Sequence, residues 1–188
     1  MSSLKLIAIS GSLRKASYTT ALLRTLSAQA AAKGSDSIEI EVAEVADVPV
    51  YNQDLDIEPN PEGVTRLRAQ VNAADGVIIA SPEYNYAMPG STKNLIDWLS
   101  RPYGKAALAG KPVLIITTSP GSTGGVRAQG QIRGTLAAIG AHPLGGAEVV
   151  IPAIDKKFVD GHFADEANLK FIQTALDRLI AEIELRKK

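Results

Sequence analysis

The sequence predicts an α/β domain: a parallel sheet of five strands with helices packed on both faces, a three-layer sandwich. Three observations carry this. Short β-rich runs alternate with longer helical patterns along the chain. Three of those runs are apolar throughout rather than alternating, as strands covered on both sides should be. And 45% of the 188 residues are hydrophobic, enough for one sizeable core without staples. With no linker, internal repeat or low-complexity tract, residues 1–188 are expected to form one domain.

The elements follow in order. Leu4–Ser10 contains LIAIS and reads as the first strand, with a helix over Ser17–Lys33. Ile38–Val45 is the second strand and Glu62–Ala74 the second helix. Gly76–Ser81 and Pro112–Thr118, reading GVIIAS and PVLIITT, are continuous apolar strands separated by a helix at Ser91–Ser100. Val126–Gly140 is helical, Gly145–Ile151 is the fifth strand, and Ala164–Leu185 is the closing helix. Right-handed crossovers then give a doubly wound sheet in the order 2-1-3-4-5. Two long connections, Ala46–Pro61 and Pro152–Phe163, interrupt the rhythm, and the first has the length of a functional or interface loop.

Composition removes several function classes. There is no cysteine, so disulfides, zinc-thiolate sites, iron–sulfur clusters and thiol nucleophiles are excluded, and redox chemistry would need a bound cofactor. Twenty basic residues balance twenty acidic ones and are scattered apart from the Arg186-Lys187-Lys188 tail, which gives no footprint for nucleic acid. The start, Met1-Ser2-Ser3-Leu4-Lys5, has no signal-peptide pattern, and no stretch could span a membrane, so a cytoplasmic location is expected. The expected partner is a small molecule or another copy of the chain.

The strongest local signal lies where the first strand ends, at Ser10-Gly11-Ser12-Leu13-Arg14-Lys15-Ala16-Ser17-Tyr18-Thr19-Thr20. In such sheets, ligands bind beyond the carboxyl ends of the strands, and the first loop feeds a helix N-terminus with partial positive charge. A phosphate suits this turn: Ser10, Ser12, Ser17 and Thr19 offer hydroxyls, Arg14 a fork of donors, and the amides of residues 17 to 20 should point outward. Neither G-x-G-x-x-G nor G-K-S/T is present. The competing reading is a polar turn with Ser17 as an ordinary N-cap.

A second candidate follows the third strand, at Pro82-Glu83-Tyr84-Asn85-Tyr86 and on to Pro89-Gly90-Ser91. Its tyrosines could wall a planar ligand, its amides and Asn85 could bind a ring edge, and Glu83 reads equally as a salt-bridge partner. The third loop, with Ser119, Pro120, Gly121, Ser122 and Thr123, offers close backbone approach and hydroxyls. All three loops leave adjacent strands and should surround one crevice. His142 and His162 lack metal-ligand or triad spacing, and Asn52-Gln53-Asp54-Leu55-Asp56 lacks the pattern of a calcium loop. Asp97-Trp98 reads as a helix face or interface.

At these loops the chain resembles the NADPH-dependent FMN reductase family, which includes bacterial quinone and chromate reductases. The resemblance rests on Gly11-Ser12-Leu13-Arg14 with Ser17, on Pro82–Tyr86 with Pro89-Gly90 and Lys93-Asn94, on the Ser119-Pro120-Gly121 loop, and on Pro49–Asp54. It spans nearly the whole chain. It implies a flavodoxin-like fold and FMN, with phosphate at Ser10, Ser12, Arg14, Ser17, Tyr18 and Thr19 and the ring bordered by Pro82–Tyr86 and Ser119–Thr123. It further implies NADPH or NADH as hydride donor, no catalytic side chain, and quinones, free flavin, azo compounds, chromate or ferric complexes as acceptors. The implied assembly is a homodimer or homotetramer. A flavodoxin-type electron carrier is the alternative, but such carriers are strongly acidic and this chain is neutral. A receiver domain would need acidic residues at Ser10–Ser12, and a low-molecular-weight phosphatase a cysteine there.

Overall fold

A computed structural model describes residues 4–32 and 38–187. Met1–Ser3, Lys33 at the expected end of the first helix, and Lys188 of the basic tail lie outside them.

The order is β1 (Leu4–Ser10), α1 (Tyr18–Ala32), β2 (Ile38–Val42), α2 (Glu62–Ala73), β3 (Gly76–Pro82), α3 (Gly90–Leu99) and β4 (Pro112–Thr118). Then come α4 (Val126–Ala138), β5 (His142–Pro143), β6 (Val149–Ile151), β7 (Phe158–Val159), β8 (His162–Phe163) and α5 (Glu166–Arg186). The sheet runs β2-β1-β3-β4-β5 and its pairs are parallel. This is the doubly wound, flavodoxin-like order expected from the alternation of elements. The chain leaves β1 toward β2 on one side and reaches β3 on the other, so the sheet's switch point lies at the carboxyl ends of β1 and β3.

Alternate residues of the strands feed two cores. Ile7, Ile9, Val77, Ile79, Val113 and Ile115 pack beneath α2, α3 and α4. Leu6, Ala8, Ile78, Ala80, Leu114 and Ile116 pack beneath α1 and α5. Each such side chain contributes about 1.5–3 kcal/mol on leaving water. β3 and β4 are buried along their whole length, whereas β2, at the edge, alternates buried and exposed residues. Trp98 sits on the buried face of α3, fully enclosed, and its indole N–H donates to the Pro49 carbonyl at 2.8 Å.

Two strands differ most from expectation. The second strand stops at Val42: Ala43 still donates to the Ala8 carbonyl, after which the chain turns so that Val48 donates to that of Val45. The fifth strand is two pieces, β5 and β6, both paired to β4, with Leu144–Glu148 looping out between them. Gly146 there has φ +87°, which a strand cannot hold. Arg178 donates to the Gly145 and Ala147 carbonyls and Arg133 to that of Leu144, so side chains replace the missing ladder bonds. The long loops carry short 3-10 turns, Gln53–Leu55 and Ile154–Lys156, and the second also holds the β7–β8 hairpin. His142 and His162 therefore stand in short strands, and both are exposed.

Candidate functional site

The turn after β1 is held from both ends. Ser17 is the N-cap of α1: its Oγ accepts from the Thr20 amide at 3.1 Å and its carbonyl from that of Ala21. Ser10 Oγ accepts from the Ser12 amide at 3.3 Å and from the Thr20 hydroxyl at 2.8 Å. Between these anchors the amides of residues 13 to 19 have no intramolecular acceptor among the described residues. Such a run of unpaired N–H groups entering a helix N-terminus is a cradle for an anion. Of the amides expected to be open, only that of Thr20 is used, by the cap. Ser12 and Ser17 are buried in the turn, whereas Arg14 is exposed, its guanidinium 5.8 Å from the centroid of the Tyr18 ring. Tyr18 in turn packs against Phe158 of β7, with ring centroids 5.4 Å apart. The Thr19 hydroxyl faces inward, 3.2 Å from that of Thr118 at the end of β4.

Gly11 is required by its neighbours. A Cβ there would stand 2.0 Å from Thr92 Oγ1, because α3 closes on the turn. Ser91 Oγ donates to the Gly11 carbonyl at 2.6 Å, the Gly11 amide donates to the Ala80 carbonyl at 2.7 Å, and the Thr92 and Ser81 hydroxyls are 2.7 Å apart.

The loop after β3 is a tight reversal. Tyr84 and Ala87 exchange both backbone hydrogen bonds at 3.0 Å, and the central residues Asn85 and Tyr86 take φ of +51° and +65°. Two left-handed residues in succession are the mark of a primed turn, where glycine is favoured at the position of Tyr86. Holding a tyrosine there costs of order 1–3 kcal/mol, and such strain concentrates at ligand sites. The amides of Asn85 and Tyr86 have no acceptor among the described residues, and both tyrosine rings are exposed. Arg127 lies over the Tyr86 ring at 4.1 Å. Pro82 ends β3, buried against Thr118.

Glu83 proves to be a structural acid. One carboxylate oxygen accepts from the Arg127 and Ala128 amides at 2.9 and 3.1 Å, and the other lies 3.6 Å from the Arg127 guanidinium. It closes the N-terminus of α4, which begins after Gly125 with no side-chain cap of its own. The loop after β4 is tied to its neighbour by the Ser119 amide donating to the Ile151 carbonyl and that of Ala153 donating to Gly121. Ser119 Oγ accepts from the Gly121 amide at 3.0 Å, while Gly121, Ser122 and Thr123 are exposed. Glu83 N–H to Thr118 O, Thr19 to Thr118 and Ser91 to Gly11 link the three loops into one rim.

A fourth wall joins motifs more than forty residues apart. Asn94 accepts from the Tyr51 amide at 2.6 Å and donates to the Pro49 carbonyl at 2.9 Å, and Tyr51 packs edge-on against Trp98. Asp56 binds Arg68 at 2.8 Å and so belongs to loop anchoring. Sequence reasoning did not assign Ser91, Thr92 and Asn94 as clamps, although the hydroxyls after Pro89-Gly90 marked a helix start. The cap that Glu83 supplies spans 44 residues and leaves no local trace. At the opposite end of the sheet, a cleft of about 390 Å³ has its polar groups in use: Lys111 donates to the Asn72 carbonyl and Asp75 pairs with Lys187. Burial holds the Lys111 ammonium below its ordinary pKa. No helix among the described residues is long and apolar enough to cross a membrane.

Known proteins share this sequence and fold. The sequence profile of the NADPH-dependent FMN reductase family matches residues 4–156. An NAD(P)H-dependent FMN reductase of Pseudomonas aeruginosa is 39% identical over 177 residues, covering 94% of this chain and 93% of the relative. A quinone reductase of Escherichia coli K12 is 38% identical over 190 residues, covering 97% and 98% of the two chains. The solved structure of FerB, a flavoenzyme NAD(P)H:(acceptor) oxidoreductase from Paracoccus denitrificans, superposes with a TM-score of 0.80 at 35% identity, covering 96% of this chain and 97% of that one. By fold and sequence together, the chain belongs to the NADPH-dependent FMN reductase family.

Proposed function

We propose that the chain is an FMN-dependent NAD(P)H oxidoreductase that passes electrons to quinones and similar small acceptors. The observation that carries this reading is the rim at the switch point, where unpaired amides 13–19 adjoin two loops with further open donors. The residues fit FMN: a dianionic phosphate suits the amides at the start of α1 with Arg14 and the Ser12 and Ser17 hydroxyls. The Thr19 hydroxyl bonds Thr118 and the Glu83 carboxylate caps α4, so these two side chains also position the rim. Pro82–Tyr86 and Ser119–Thr123 would border the ring, with the Asn85 and Tyr86 amides offered to its polar edge.

FMN held there would supply the redox chemistry, hydride transfer between NAD(P)H and the acceptor. The protein's part is to fix these donors before the reaction. No side chain need transfer a proton. The exposed apolar side chains of Val50, Leu55, Ile57, Tyr84 and Tyr86 support a homodimer or homotetramer. Sedimentation equilibrium should return twice or four times 19.8 kDa, and a monomer at micromolar concentration would refute the assembly.

Purified protein incubated with FMN should quench its fluorescence and retain it through desalting. It should then oxidise NADPH when 1,4-benzoquinone is supplied. Failure to bind FMN overturns the reading; binding without NAD(P)H turnover would favour the electron-carrier alternative.

A further inference from the structure

Beside the phosphate turn, on the side away from β3 and β4, runs a second cleft of about 180 Å³. It is bounded by the turn itself, by the first half of α1, and by residues 42–46 following β2. Its charge is lopsided: Arg14, Lys15 and Arg24 face a single acid, Glu44.

These cations differ from the rest of the chain's. Of the nine arginines, seven bind a carboxylate or a backbone carbonyl. Arg14 and Arg24 alone have neither among the described residues, and both line this cleft. Lys15 is likewise without an ion-pair partner there. Hydroxyls of Ser10 and Thr20 form part of the wall, already oriented by their 2.8 Å hydrogen bond. Two guanidinium forks, an ammonium and hydroxyls around one opening recognise a phosphate.

On the proposed reading the open amides of the turn hold the flavin's phosphate, which leaves the cleft for a different one. The hydride donor brings it: NADPH carries a 2′-phosphate that NADH lacks. We propose, on the reading that the chain is an NAD(P)H-dependent flavoenzyme, that this cleft binds the 2′-phosphate of NADPH. Arg24 and Lys15 are the specificity-determining residues, and Arg14 lies between the two phosphate sites. Glu44 works against the preference, since a carboxylate following the second strand suits a free ribose 2′-hydroxyl and repels a phosphate.

The test uses the FMN-loaded protein and an Arg24→Ala variant. In calorimetry, 2′,5′-ADP should bind the unaltered protein and compete with NADPH, 5′-AMP should bind far more weakly, and the variant should bind both alike. In steady state, the variant's KM for NADPH should rise by about tenfold or more, the effect of losing charge-assisted hydrogen bonds, with kcat and the KM for NADH held. Glu44→Gln should lower the KM for NADPH. Equal affinity of the two proteins for 2′,5′-ADP overturns the proposal, as does an unchanged KM for NADPH. Loss of FMN from the variant also overturns it, by assigning the cleft to the flavin. If neither donor is oxidised, the functional reading fails, and the calorimetry still decides whether the cleft recognises a 2′-phosphate.

Discussion

Ser17 illustrates how one residue serves two readings at once. Its oxygen caps α1, yet capping uses only its acceptor side, and it is the cap that aligns the open amides before it. Arg14 is the cleaner probe because it caps nothing. Arg14→Ala is expected to weaken FMN binding by about tenfold, and Arg14→Ala with Ser17→Ala by about a hundredfold, read by flavin fluorescence titration. Unchanged affinity in both would remove the phosphate from this turn. Ser17→Ala also loses the cap, about 1 kcal/mol of stability, which separates the two contributions. At this scale the sequence was most legible where function is local: hydroxyls, a glycine and an arginine within eight residues. It offered Glu83 as a salt-bridge partner but gave no sign of the α4 amides its carboxylate meets, brought near only by the parallel pairing of β3 with β4.

Among the elements, the continuous apolar runs were legible almost to the residue; β1 and β4 match their expected spans. The fifth strand was not, since a continuous β-rich stretch says nothing of the arginines, ten and more residues away, that let Leu144–Glu148 leave the sheet. α5 shows how an element's end can depend on pH. Its N-cap, Asp165, is paired with Lys157 and accepts from the Asn168 amide at 2.9 Å, and these contacts hold its carboxyl down at about 2. The folded pKa lies below the ordinary 3.8, so the stabilisation is complete above about pH 4 and is lost as pH falls toward 2. Urea midpoints of the protein and Asp165→Asn, which can still cap, should therefore differ at pH 7 and converge near pH 2. A gap independent of pH would show that the Lys157 pair contributes nothing.

For the molecule as a whole, the alternation of elements predicted the layers, and the layers predicted where loops would meet. What alternation could not show is how the rim is joined, because hydrogen bonds such as Asn94 to Pro49 connect segments 45 residues apart. Nor could it show the charge imbalance beside the turn, where α1 and the chain after β2 each supply part. The seven open amides have a thermodynamic consequence. A chain that leaves donors unpaired at its centre transfers part of its cohesion to whatever fills them, so folding and cofactor supply become one equilibrium. At FMN concentrations a hundred times its Kd, the folded state should gain about 2.7 kcal/mol, and the melting temperature should climb with the logarithm of added flavin. Riboflavin, lacking the phosphate, should raise it far less; an equal rise would place the stabilising contacts at the ring. Cellular levels of the protein would then follow the flavin pool, with scarcity of the cofactor read out as turnover of the chain.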